Sequence, residues 1–178
     1  MVAVLNRHGP PTQAEFHEVI STRSDRWYSA CLKITRNRDL AEDAVQDALL
    51  SAWNKRHQFD RSARLDTWIH RIAVNAALQL LRKSKPGVFE ALDHDVEGPS
   101  PTPEQLRADE ELGHNLARAL HKLSEIERVC FVLKHLEQWR LKEIAAEIGS
   151  NTGTVKQAIF RAVKKLRVRM AALQREAL

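Results

Sequence analysis

From Lys85 to Pro103 the chain reads KPGVFEALDHDVEGPSPTP, and no other stretch limits the possible folds as much. It holds four of the six prolines and two of the six glycines of a 178-residue chain, and it has no helical period. Such composition interrupts helices and reads as a linker. Elsewhere runs of Val, Ile and Thr are few, while Ala, Leu, Arg, Glu and Lys abound. The expected fold class is therefore all-α. Two small helical domains, 14–85 and 103–178, are expected on either side of an acidic, Pro-rich linker at 86–102, after a tail at 1–13.

Charge follows the same division. Residues 1–85 carry fourteen Lys/Arg against nine Asp/Glu, residues 86–115 one against eight, and residues 116–178 thirteen against six. Two basic blocks flanking an acidic one suit a polyanionic partner, although solvated helix faces would give the same totals. No apolar run approaches the roughly 18 residues of a membrane span. The opening MVAVLNRHGPPTQ is too short and polar for a signal peptide. A cytoplasmic protein with no membrane insertion is expected, with Cys31 and Cys130 as reduced core residues.

In the first half, one helix is expected from about Gln13 to Ile34. Asp39, with Glu42 as capping-box partner, is expected to open a second that runs to about Arg56. QFDRSARLD interrupts, and a third runs from about Asp66 to Lys83. Its core stripe is read as Ile69, Ile72, Ala73, Ala76 and Leu80. Trp68, Arg71, Asn75, Gln79 and Arg82 form a second stripe, whose chemistry suits nucleic acid but also a partly buried Trp among polar neighbours. On the second helix Glu42, Asp43, Gln46, Asp47 and Asn54 crowd one side, with Leu50 among them. That side fits solvent or a basic protein helix.

In the second half, Pro103 is placed near a helix start, with Glu104, Asp109, Glu110 and Glu111 early and Arg118 and Lys122 late, as the helix dipole favours. Ser124 and Glu127 form a capping-box pattern opening a helix to about Leu136. LKEIAAEI is a short helix stopped by Gly149, SNT turns, and a basic helix follows from about Gly153. This is the helix-turn-helix signature. Val155, Ala158, Ile159, Ala162 and Leu166 make the core face of the last helix at about 100° per residue. Lys156, Gln157, Phe160 and Arg161 project from its early outward face, and Lys164, Lys165 and Arg167 lie further along. Early residues of such a helix reach base edges and later ones meet phosphate. A solvated basic side of an αα-hairpin is the plain alternative, and an aromatic placed among cations weighs against it.

Three motifs carry a family resemblance. DLAEDAVQDALLSAW at 39–53, FDRSARLDTWIHRIAVNAALQLLRK at 59–83 and the segment 123–167 with its E-I-A and G-T-V-K occur in order, across about residues 16–170. Together they resemble the extracytoplasmic-function group of bacterial RNA polymerase sigma factors. The resemblance implies a sigma factor that binds core RNA polymerase, directs it to promoter DNA and assists melting. By it, Asp43, Gln46, Asp47 and Leu50 would grip the coiled-coil helices of the largest polymerase subunit. Asp60, Arg61, Ser62, Ala63 and Arg64 would form the loop that captures a flipped minus-ten base, and Trp68, Arg71 and Asn75 would lie along the adjacent DNA. Thr154, Lys156, Gln157, Phe160, Arg161 and Lys164 would read the minus-thirty-five element. The acidic linker would thread the polymerase's RNA-exit region, and an anti-sigma protein would be a natural regulator. The chain departs from the family pattern at Gln79, at Ser150 and at Gln157-Ala158, so its promoter preference is expected to differ.

Two other classes compete. A helix-turn-helix regulator acting without polymerase would account for 140–167 but leave the acidic helix and the Trp68 stripe unused. An enzyme would need chemistry that is hard to find: there is no Gly-rich phosphate loop, and HEVIS at 17–21 lacks the second His of a zinc protease motif. The eight histidines are read as dispersed on the surface, and no catalytic residue, metal or cofactor is expected.

Overall fold

The computed structural model describes residues 9–89 and 114–176, and every described element is helical or a connecting turn. The chain divides after Leu80 into two compact units. Of the expected linker, residues 90–102 lie outside the described residues, as do the helix start at Pro103 and its early acids.

In the first unit, helix α1 spans Gln13–Thr35 and opens with a capping box between Thr12 and Glu15. It ends at Arg36, whose left-handed backbone (φ 53°) lets its N–H donate to the Leu32 carbonyl. Helix α2 spans Arg38–Asn54. Its cap is Asn37, which accepts the Leu40 N–H at 3.0 Å, rather than the expected Asp39. The Arg36 turn reverses the chain early enough for Asn37 to reach the free N–H groups first. Asp39 then lies in the first turn, where its charge suits the helix dipole. Ala41, Ala44, Ala48 and Ala52 are buried where α2 packs on α1. Phe16 near the start of α1 meets Trp53 near the end of α2 edge-on, with ring centroids 5.2 Å apart, so the two helices run antiparallel.

A 3-10 turn at Arg56–Gln58 and a loop lead into α3, Leu65–Ser84. Cys31 donates its thiol to the Ala73 carbonyl, and Arg23 pairs with Asp66 at 3.6 Å, which brings α3 to α1. The buried face of α3 is wider than the expected stripe and rotated from it. Ile69 and Ala73 are buried as expected, but Val74, Ala77, Leu78 and Leu81 join them while Ile72, Ala76 and Leu80 are only half-buried. Asp66 and His70 are buried too. A polar residue can enter such a face when it is partnered, as Asp66 is by Arg64 and Arg23. His121 is also buried, so the histidines are not uniformly on the surface. Cys31 and Cys130 are free and buried, and burial pushes the Cys130 thiol up to about 12, so it stays a thiol at neutral pH.

The second unit contains α4 (His114–Leu120), α5 (Glu125–Phe131), α6 (Leu141–Ile148) and α7 (Thr152–Glu176). The Ser124–Glu127 capping box is present. The helix it opens does not run unchanged to Leu136 but widens into a π-helical turn at Val132–Leu136. Glu137 donates back to the Val132 carbonyl, Gln138 takes a left-handed backbone (φ 59°), and Trp139 turns into the core. Ala119, Leu120, Leu123, Ala162 and Leu166 form a core cluster, with Phe131 and Met170 packed against it.

The turn between α6 and α7 is built by two local devices. Gly149 takes φ 67°, and the Ser150 N–H donates to the Ala145 carbonyl at 2.9 Å. Asn151 then caps α7 by accepting the Thr154 N–H at 2.9 Å. A Cβ on Gly153 would stand 3.0 Å from that Asn151 oxygen, so the glycine makes room for the cap. A Cβ on Gly149 would meet nothing within 4 Å, which leaves backbone strain as the cost of replacing it. Gly149→Ala is therefore expected to destabilise the second unit by about 1–2 kcal/mol, read as a lower urea midpoint by circular dichroism.

Candidate functional site

The core face of α7 buries Val155, Ala158, Ala162 and Leu166, with Ile159 half-buried. On the other side Lys156, Gln157, Phe160, Arg161 and Lys164 are all exposed, and Thr154 is half-buried beside the cap. Phe160 is 70% exposed, so none of the described residues covers the aromatic. Val168, two turns further on, is 69% exposed. Lys165 departs from the outward set. It is half-buried and pairs with the buried Glu127 at 3.2 Å, because its position on the helix turns it toward α5. The outward cations from 156 to 169 are thus Lys156, Arg161, Lys164, Arg167 and Arg169.

The loop before α3 is ordered by contacts the sequence did not signal. The Asp60 carboxylate accepts the Ser62 N–H at 2.9 Å. Hydrogen bonding from Ser62, its hydroxyl first and then this N–H, holds the Asp60 carboxyl below its ordinary value. Arg61 has a left-handed backbone (φ 59°) and turns its side chain back to the start of α1. Its guanidinium grips both oxygens of Glu15, at 3.0 and 3.3 Å. Ser62, Ala63 and Arg64 stay exposed, and Arg64 also pairs with Asp66 at 3.1 Å. Arg61 is therefore set apart from the neighbours with which it was grouped. Phe59 is buried against Trp68, ring centroids 5.1 Å apart, which leaves Trp68 half-buried. Arg71 and Asn75 are half-buried on the same stripe, and the Asn75 Oδ1 is shielded with no hydrogen-bond partner among the described residues. The exposed part of this stripe is a ledge beside the loop.

On α2 the outward side carries Asp43, Gln46, Asp47 and Leu50, all exposed, opposite the buried alanines. Leu50 is 66% exposed and Trp53 37%. The Arg56 guanidinium stands 4.2 Å over the Trp53 ring. Trp53 extends this apolar-acidic surface. Its spacing three residues after Leu50 was the available signal. Glu15 had no such signal, since its partner lies 46 residues away. Among the described residues no group of three or more His, Cys, Asp or Glu side chains is placed to hold a metal.

Comparison with known proteins supplies the context. Residues 19–86 match the family model for Sigma-70 region 2, and residues 113–166 match that for Sigma-70, region 4. The ECF RNA polymerase sigma factor SigW of Bacillus subtilis is 29% identical over 173 residues, covering 90% of this chain and 91% of that protein. The ECF RNA polymerase sigma factor RpoE of Cereibacter sphaeroides is 35% identical over 134 residues, covering 74% of this chain and 72% of that one. A solved structure of the sigma factor RpoE in complex with the anti-sigma factor NepR, from Bartonella quintana, shares the fold. It matches with a TM-score of 0.56 and 23% identity, over 88% of this chain and 96% of that chain.

The Arg61 hydrogen bonds hold the Glu15 carboxyl below its ordinary value, against a smaller upward push from burial. A carboxyl lowered in the folded state contributes above its unfolded value and loses that contribution as pH falls through the folded one. The Asp60 bond has the same sign. Amide exchange at residues 60–64, corrected for intrinsic rates, is expected to hold steady from pH 7 to about 5 and to accelerate below about pH 4.

Proposed function

Since the chain belongs to the extracytoplasmic-function group of RNA polymerase sigma factors, it directs RNA polymerase to promoters, and we propose that three surfaces divide this work. The outward side of α2 binds core polymerase through Asp43, Gln46, Asp47 and Leu50, with Trp53 at its margin. The observation that carries this assignment is Leu50, 66% exposed among carboxylates while the opposite side of the helix buries only alanines. A leucine held open to water beside acids fits a partner helix that is basic and apolar, as the polymerase coiled coil would be by family resemblance.

The loop at Asp60, Ser62, Ala63 and Arg64 takes up a base of the minus-ten element, and Trp68, Arg71 and Asn75 border the strand next to it. The exposed edge of Trp68, braced by Phe59, offers a stacking surface that assists melting. The outward face of α7 reads the minus-thirty-five element in the major groove, as the second helix of such a motif does. Lys156, Gln157 and Arg161 offer donors there, and Phe160 supplies apolar contact to a thymine methyl. The acidic stretch 86–102 threads the polymerase's RNA-exit region in place of nucleic acid. The chain itself catalyses nothing; the chemistry of transcription belongs to the polymerase. We also place the protein in the cytoplasm, where among its described residues no helix is long and apolar enough to cross a membrane. An anti-sigma protein covering the open faces of α2 and α7 is the expected form of control.

Replacing Asp43, Gln46 and Asp47 together by Lys is expected to weaken core-polymerase binding by about 100-fold or more while leaving the thermal midpoint nearly unchanged. Affinity by fluorescence anisotropy with core enzyme checks this, and unaltered binding removes the assignment. Holoenzyme binding to a promoter duplex should weaken with salt, with the α7 cations contributing about 0.9 to the logarithmic slope per phosphate they neutralise. Phe160→Ala should relax minus-thirty-five preference yet change stability by less than about 0.5 kcal/mol. Competition binding with base-substituted duplexes reads the first, and urea unfolding the second.

A further inference from the structure

We propose that Glu15, in the first turn of α1, is the positioning residue for minus-ten base capture: by clamping Arg61 it holds the loop at 60–64 in its receiving conformation. This rests on the reading of that loop as the base-capture element. Three observations carry it. The Arg61 backbone is left-handed (φ 59°), a conformation disfavoured for any residue with a Cβ, so it persists where contacts hold it. All three guanidinium nitrogens are engaged away from the loop: Nε donates to the Gly9 carbonyl at 3.0 Å, Nη1 to Glu15 Oε1 at 3.0 Å, and Nη2 to Glu15 Oε2 at 3.3 Å. Glu15 is itself fixed, since its Oε2 accepts the Thr12 N–H at 2.8 Å.

The consequences follow along the loop. With Arg61 anchored, the Asp60 carboxylate closes on the Ser62 N–H at 2.9 Å, and Ser62, Ala63 and Arg64 emerge together on the exposed side. Phe59, just before the loop, is buried against Trp68, and the Arg61 guanidinium stands 6.0 Å from the Phe59 ring. The loop is therefore pinned at its start by an aromatic pair at Phe59 and an ion pair at Arg61, and is open from Ser62 to Arg64. A pocket preset in this way loses less freedom on receiving a base than a mobile loop would. Arg61 then acts through its hold on the backbone, and base preference is left to Ser62, Ala63 and Arg64.

The test uses holoenzyme reconstituted from the full chain and core polymerase. Run-off transcription on genomic fragments first supplies a promoter. The probes are single-stranded non-template oligonucleotides spanning its minus-ten element, varied one base at a time. Glu15→Ala and Arg61→Lys are each expected to reduce discrimination at the captured position by about tenfold. Discrimination at other positions, polymerase affinity and binding to a minus-thirty-five duplex should be unchanged. Arg61→Lys keeps the charge and the α1 cap but loses the two-pronged grip, so it decides the matter if Glu15→Ala does not fold. Ser62→Ala and Arg64→Ala separate the two ways of failing. If they alter discrimination while the clamp variants do not, the positioning role is overturned and the loop assignment stands. If none of the four alters it, the loop assignment falls and the positioning role with it.

Discussion

Close helix approach across alanine is the contact on which both units depend. Ala41, Ala44, Ala48 and Ala52 on α2, Ala73 and Ala77 on α3, and Ala158 and Ala162 on α7 are all essentially inaccessible to water. Small residues at these positions bring backbones together and leave few sockets for large side chains. Among the described residues, Leu50, Trp53, Phe160 and Val168 are accordingly the large apolar residues left on the outside. Burying a leucine or phenylalanine is worth about 1.5–3 kcal/mol. That free energy is not realised among the described residues and is available where a partner covers the surface. The same packing that makes the helices fit thus marks the faces open to binding.

Charge obeys a similar division. The basic character of α7 is not all directed outward, because Lys165 turns in to meet Glu127. On α5, Arg128 is buried with Glu125 beside it. Buried ions are tolerated only when paired, and breaking one such pair costs more than the pair contributes. Burial raises the Glu125 carboxyl, but the charges and hydrogen bonds of Arg128 and Lys85 together outweigh it and leave the group below its ordinary value. The Lys165–Glu127 pair ties α7 to α5, while Lys156, Arg161, Lys164, Arg167 and Arg169 face outward. A count of lysines and arginines along the helix cannot separate the two kinds.

Turns and loops are held by a few polar contacts rather than by burial. At the helix-turn-helix the devices are local: a left-handed glycine, an asparagine cap, and a second glycine that leaves space for the cap. In the first unit the corresponding device is distant. The Arg61 loop is tied to the cap of α1, so the start of the first helix and the entrance to the third are one structural feature. Local devices leave a signature in sequence, while distant ones do not.

Much of the fold was legible for that reason. Helical period placed Phe160 on the outward side of α7 and the acids on the outward side of α2, since both follow from about 100° of rotation per residue. The Ser124 box and the Gly149 stop were legible because a cap is chemistry between residues three or four apart. Errors of local reading arose where two local solutions competed: Asn37 stood two residues ahead of Asp39 and took the cap. The rotation of the buried face of α3 was hidden, because it depends on where α1 lies and on Arg23 and Arg64 partnering Asp66. The sequence alone determined most of the helices, the outward sides of α2 and of early α7, and the family motifs, all of which are written in short-range spacing. Tertiary structure alone decided that Lys165 faces Glu127 and Arg61 faces Glu15, because those partners lie 38 and 46 residues away and only packing brings them together.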